Sequence, residues 1–268
     1  MNNLSIYEYL HQNDNSTIFN NTLPPMLSST TTIVMEENKD TAAEKVVLQQ
    51  FLTNRLSAPY FFDDVHEIRG YLYSLRRFYT ITTLTIPEGI EIIGKRAFDG
   101  CSHFKILILP NSLRELRLGA FANCPDLENI YFPDSLTEIG DQVFQNTSIS
   151  ELRLPANLQV IGNSSFKDCY NLQSIEINGN GTSIGERAFY NCSALTSLTI
   201  NEGVTNIGAY AFCMCYALKT VSLPSTIQSI DVTAFAGCHD LQIVINQPTN
   251  AIEGAPWGAS SSTVTWVG

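Results

Sequence analysis

Leu84-Thr85-Ile86-Pro87-Glu88-Gly89-Ile90-Glu91-Ile92-Ile93-Gly94-Lys95-Arg96-Ala97-Phe98-Asp99-Gly100-Cys101 is most of one turn of a repeat that decides the fold of this 268-residue chain. From its first apolar position the unit reads L-x-x-L-x-I-P-x-x-L-x-x-I-G-x-x-A-F-x-x-C-x-x, 23 residues in all. Units start at Ile81, Phe104, Leu127, Ile149, Leu172, Leu195 and Leu218, with a decayed eighth from Leu241. Phe98, Phe121, Phe144, Phe166, Phe189, Phe212 and Phe235 all stand at position 18. Such a register marks stacked units, none of which buries its apolar face alone.

Each unit can be read physically. Leu84-Thr85-Ile86 alternates apolar and polar, the period of a half-buried strand. Pro87 ends that strand, because it has no N–H for a ladder. Ile90 and Ile93 add core residues. Gly94 is expected to permit a turn with positive φ, and Ala97-Phe98 to start a short helical or 3₁₀ turn that drives Phe98 inward. The expected fold class is an α/β solenoid, a stack of about eight 23-residue units with one short parallel strand per unit and a cap at each end. Decay is informative too. Arg117 and Asp231 replace the Gly, and Asn178 and Asn201 replace the Pro. The third unit is one residue short, with Thr147-Ser148 where Cys-x-x would stand, which predicts a local irregularity.

Cys101, Cys124, Cys169, Cys192, Cys215 and Cys238 share position 21. A residue type fixed by the period is a packing choice: small, apolar and a weak hydrogen-bond former. A buried, reduced ladder is the expectation, with cross-rung disulfides as the competing reading. Cys213-Met214-Cys215 looks like a ligand pair, but Cys215 belongs to the ladder and no second pair stands at suitable spacing. No metal and no cofactor are expected.

The chain carries 15 Lys and Arg against 26 Asp and Glu, a net charge of −11. Both the first 80 residues and the remainder are acidic, so no basic face is set aside for a phosphate backbone, and nucleic-acid binding is excluded as an expectation. No stretch approaches 18 apolar residues, so no membrane insertion is expected. Met1-Asn2-Asn3-Leu4-Ser5-Ile6-Tyr7-Glu8 lacks the basic and apolar regions of a secretory signal peptide.

The ends divide as follows. Residues 1–62 read as an N-terminal segment, with an Asn/Ser/Thr-rich stretch over 11–32 and one amphipathic helix over about 42–56 for docking or capping. Residues 63–80 read as a degenerate N-terminal cap, since Ile68-Arg69-Gly70-Tyr71-Leu72-Tyr73 echoes half a unit. The repeats proper span 81–245. Residues 246–268 read as the C-terminal cap, with Trp257 and Trp266 sized to cover the last rung; a ligand platform is the competing reading.

Catalysis needs a nucleophile, a base and an orienting group brought together. His103 and His239 lie many rungs apart, and no G-x-S-x-G, Walker loop or H-E-x-x-H is present. Glu151 and Glu176 would fall on adjacent rungs, where two acids are usually only solvated. No enzyme is expected. Binding fits better. Positions 3 and 5 point outward from the strand, and most units place Thr or Ser there, such as Thr83, Thr85, Ser197 and Thr199. The second and third units offer Ile106, Ile108 and Tyr131 instead, with Arg153 on the next rung. An apolar patch on a polar face suggests a partner contact. The plain alternative is that β-branched residues suit strands.

The motif Leu84-x-Ile86-Pro87 through Ile93-Gly94-x-x-Ala97-Phe98-x-x-Cys101 resembles the BspA-like leucine-rich repeats over about residues 81–245. The tail Gly254-Ala255-Pro256-Trp257-Gly258-Ala259, then Val264-Thr265-Trp266, resembles the closing segment of many bacterial and prophage-encoded members. The resemblance implies a solenoid that binds other molecules, often as a surface adhesin, with no catalytic residues; the partner expected here is a protein or glycan. A component of a phage or phage-like particle is the alternative that the lack of a signal peptide favours, and an intracellular interaction scaffold is a third.

Overall fold

The computed structural model describes residues 67–68, 82–86, 88–248 and 251–267. The amphipathic segment over 42–56, Tyr73 and Pro87 lie outside them.

Each unit folds as one three-sided rung. Its first side is a strand: β2 (Thr83–Thr85), β4 (Ile106–Ile108), β6 (Asn129–Tyr131), β8 (Glu151–Arg153), β10 (Ser174–Ile177), β12 (Ser197–Ile200), β14 (Thr220–Leu223) and β16 (Gln242–Ile245). The stack pairs parallel and in repeat register, Leu84 opposite Leu107 and Ile175 opposite Leu198. The expected strand is therefore present, and its alternation places Leu84, Leu107, Leu152, Ile175, Leu198, Val221 and Ile243 in one core.

A second strand on each rung was not expected. β1 (Glu67–Ile68), β3 (Ile92–Ile93), β5 (Glu115–Leu116), β7 (Glu138–Ile139), β9 (Val160–Ile161), β11 (Thr182–Ile184), β13 (Val204–Ile207) and β15 (Ser229–Ile230) form a continuous eight-stranded parallel sheet. Six of the eight have only two residues, too short to show a period-2 pattern, so the sequence hides them. The first rung begins inside the predicted N-terminal cap, where Ile68 sits opposite Ile93. The expected C-terminal cap contributes a further rung, β17 (Thr263–Trp266), paired with β16.

The third side is turn, and here the α/β designation is corrected: among the described residues no helix forms. Bonds of the i→i+3 type close it, Ala97 N–H to Gly94 C=O at 3.2 Å and Cys101 N–H to Phe98 C=O at 3.2 Å. Left-handed residues interrupt it before a helix can propagate. Gly100, Asn123, Asn146, Asp168, Asn191, Met214 and Gly237 share position 20, and all have positive φ. The Gly and Asn preference there follows from their tolerance of that region.

The reading of Gly94 also needs correction. Gly94, Gly140, Gly162, Gly185 and Gly208 are not among the positive-φ residues. At this position glycine permits close stacking: a Cβ on Gly162 would lie 2.4 Å from the carbonyl carbon of Gly140.

The position-18 Phe side chains form a buried column, with neighbouring rings 4.9–5.6 Å apart and nearly parallel. Beside it runs the cysteine ladder, buried, with none of its thiols in a disulfide. Each thiol from Cys124 onward donates to the Phe carbonyl of the preceding unit, as Cys124 does to Phe98 at 3.3 Å and Cys238 to Phe212 at 3.3 Å. Burial pushes the Cys169 and Cys238 thiols up to about 11, and those of Cys192 and Cys215 well above their ordinary value.

The irregularity expected at the third unit is found there. The outer ladder splits between β6 and β8, into a three-stranded and a six-stranded sheet, while β7 and β9 stay paired. Thr147 keeps the cysteine slot filled: its hydroxyl donates to the Phe144 carbonyl at 3.0 Å and lies 3.3 Å from the Cys169 sulfur.

Candidate binding surface

The strand face just before that split carries the sequence-predicted patch. Alternation along β4 turns Leu107 inward and leaves Ile106 half-buried and Ile108 38% exposed. Register places Ile108 opposite Tyr131, a residue 64% exposed, and Ile106 opposite exposed Asn129. The structure therefore brings Ile106, Ile108 and Tyr131 together on one small sheet. Tyr131 lies on its last strand, beside the split.

Arg153 lies on the next rung and does not share their sheet. It lies on β8, beyond the split, opposite Glu176, with its Nε 3.5 Å from the Glu176 carboxylate. The same carboxylate accepts from Asn201 at 3.4 Å. Arg153 is thus an exposed arginine tied to the far sheet.

Glu151 and Glu176 fall on adjacent rungs, as the sequence suggests. Glu151 faces Ser174, and Glu176 faces Arg153, its cationic neighbour. His103 contacts Ser102, and His239 stacks on Tyr216 with ring centroids 6.5 Å apart. Among the described residues no group of three His, Cys, Asp or Glu is placed to hold a metal ion. Among them, too, no helix is long and apolar enough to cross a membrane.

At the C-terminal end Trp257 is fully buried. Its indole N–H donates to the Glu253 carbonyl at 2.8 Å, and its ring meets Trp266 edge-on at 6.4 Å. Its burial leaves Trp257 no surface for a ligand.

A second exposed feature lies on the turn side. Tyr170 and Tyr216 are about half exposed, and cations lie over two further rings, Lys167 over Tyr190 and Arg187 over Tyr210. The sequence reading missed it, although a signal exists: Tyr170, Tyr216 and His239 each directly follow a ladder cysteine.

Parallel rungs of strand, strand and turn around a Phe column define a leucine-rich-repeat solenoid. More narrowly, the chain belongs to the BspA type leucine rich repeat family, whose profile matches six copies over residues 66–177 and 137–255. Among solved structures it is similar to the Treponema pallidum leucine rich repeat protein TpLRR, at 29% identity and a TM-score of 0.55, over 60% of this chain and 78% of that one. It is also similar to the pneumococcal vaccine antigen PcpA, at 18% identity and a TM-score of 0.52, over 77% of this chain and 45% of that one. The latter likeness is one of fold. No curated protein matches the chain.

Proposed function

We propose that this protein is a non-catalytic binding module whose outer strand face, around Ile106, Ile108 and Tyr131, contacts a protein or glycan partner at a cell surface or host interface. The observation that carries this is the exposed Ile108–Tyr131 pair beside the open sheet edge, on a face where the other rungs present mostly Thr, Ser and charged side chains, Val244 apart. Exposed apolar groups grouped this way mark contact surfaces, and Tyr is enriched at binding hot spots. Arg153 across the split supplies a charged rim. The description of PcpA as a vaccine antigen accords with a place at a host interface. No observation favours the phage-particle alternative.

The test uses arrays of immobilised glycans and extracellular-matrix proteins, probed with the intact protein and with the Tyr131→Ala, Ile108→Ser double variant. The variant is expected to keep its unfolding transition and to lose binding about tenfold or more, as for a hot-spot pair. A folded variant that binds the same spots with unchanged affinity would place the contact elsewhere.

A further inference from the structure

The C-terminal end of the outer sheet is an open edge. β17 ends the strand order, and among the described residues its only strand partner is β16. Thr263 N–H donates to Leu241 C=O at 3.0 Å, and Val267 N–H to Ile245 C=O at 2.7 Å. Alternation along a strand therefore turns the N–H and C=O groups of Val264 and Trp266 away from β16, toward the place of a further rung. Their side chains face the core, yet both remain only partly buried, and among the described residues no strand lies beyond them.

Natural sheets protect such edges with charges, proline or bulges. This one has none of these. Residues 254–268 contain no Asp, Glu, Lys or Arg, in a chain whose net charge is −11. By contrast β8, at the other end of the same sheet, carries Glu151 and Arg153. An uncharged end is where two copies of an acidic molecule meet with least repulsion.

We propose that two copies of this chain pair antiparallel along β17, joining two six-stranded sheets into one across a two-fold axis. Antiparallel pairing is self-complementary, as an isologous contact requires. The register follows from the free groups. Setting Val264 opposite the partner copy's Trp266, and the reverse, uses all four outward N–H and C=O groups in reciprocal bonds. That register places Thr265 on the axis, opposite its own counterpart in a non-hydrogen-bonded pair, with Cα atoms about 4.5 Å apart. It also lays the Val264 side chain of each copy beside the Trp266 ring of the other, covering the end of the core.

The central position supplies the test. Thr265 is exposed, so Thr265→Lys and Thr265→Glu are expected to leave the fold and its unfolding transition intact. By sedimentation and light scattering the full-length protein is expected at twice 29.7 kDa in the high-micromolar range. Each variant alone sets like charges across the axis, so self-association should weaken about tenfold or more. An equimolar mixture of the Lys and Glu variants should recover the dimer, because opposite charges then meet. A wild-type protein that stays monomeric in that range overturns the proposal, including the case in which slow exchange of the Val264 and Trp266 amides shows the edge covered from within the same chain. So does a dimer that both variants retain, or a mixture that gains nothing over its components.

Discussion

The buried Phe column and the outer strand ladder meet the same missing residue and respond differently. The column passes through it: Phe144 and Phe166 still stack at 5.3 Å, tilted by 19° where the other pairs tilt by 9° or less. Phe144 N–H still reaches the Ser165 carbonyl at 2.7 Å. The ladder breaks between β6 and β8. The gap falls between Thr147 and Ile149, after the Phe and directly before β8, so the shortened connection draws on the strand that follows it. A ring can tilt and keep most of its dispersion contact, whereas a strand hydrogen bond demands distance and angle together. The interior thus tolerates an irregularity that opens the surface, and the opening lies beside Tyr131.

Breaking the column should have the largest effect. Phe166→Ala, at the tilted step, is expected to destabilise the protein by about 3–5 kcal/mol, read from urea unfolding. A change below about 1 kcal/mol would show that the tilted ring had already given up its packing.

Alkali should act on the thiols that line the column. Cys169 and Cys238 titrate near 11 in the folded protein, because burial disfavours the thiolate, while an unfolded thiol titrates near about 8.5. The folded state keeps protons that the unfolded chain releases. This contribution is fully present below about pH 8.5 and is lost as pH rises toward 11, by up to about 1.4 kcal/mol per pH unit for each thiol. Urea midpoints measured between pH 8 and 10 should fall accordingly, and a flat series would place these thiols in contact with water.

Repairing the ladder tests the other side of the comparison. One Asn inserted after Thr147 restores the usual spacing before β8, and should add about 1 kcal/mol for each bond regained between β6 and β8. Slower amide exchange in β8 would report the closure, and unchanged exchange would mean that the break has another cause.

The smallest effect concerns Ser165, which replaces the alanine that most units carry at position 17. Its hydroxyl is buried and makes no hydrogen bond. Ser165→Ala should raise stability by about 1 kcal/mol through removal of that unpaired group, measurable as a higher urea midpoint. A loss of stability would show that the hydroxyl has a partner.

Much of the interior was legible in advance because every unit answers the same packing demand. Leu84 and its equivalents, the Phe column and the cysteine ladder repeat at fixed positions, so periodicity alone identified the solenoid and its core. The exposure of Ile108 and Tyr131 was legible too, since strand alternation assigns sides without knowledge of neighbours. That Arg153 belongs to a different sheet from them was not legible, because it depends on whether β6 and β8 pair, a matter of the three-dimensional path rather than of spacing.

From the sequence alone came the period, the residues that face inward, the parallel stacking and the site of the irregularity, because each rests on local alternation or on repetition along the chain. Only the tertiary structure decided the second strand of each rung, the turns in place of helices, the close-stacking role of the glycines, the Arg153–Glu176 contact and the open edge at β17. Apart from the turns, which local left-handed residues impose, these depend on how neighbouring rungs, 22 to 25 residues apart in sequence, meet once the stack is built.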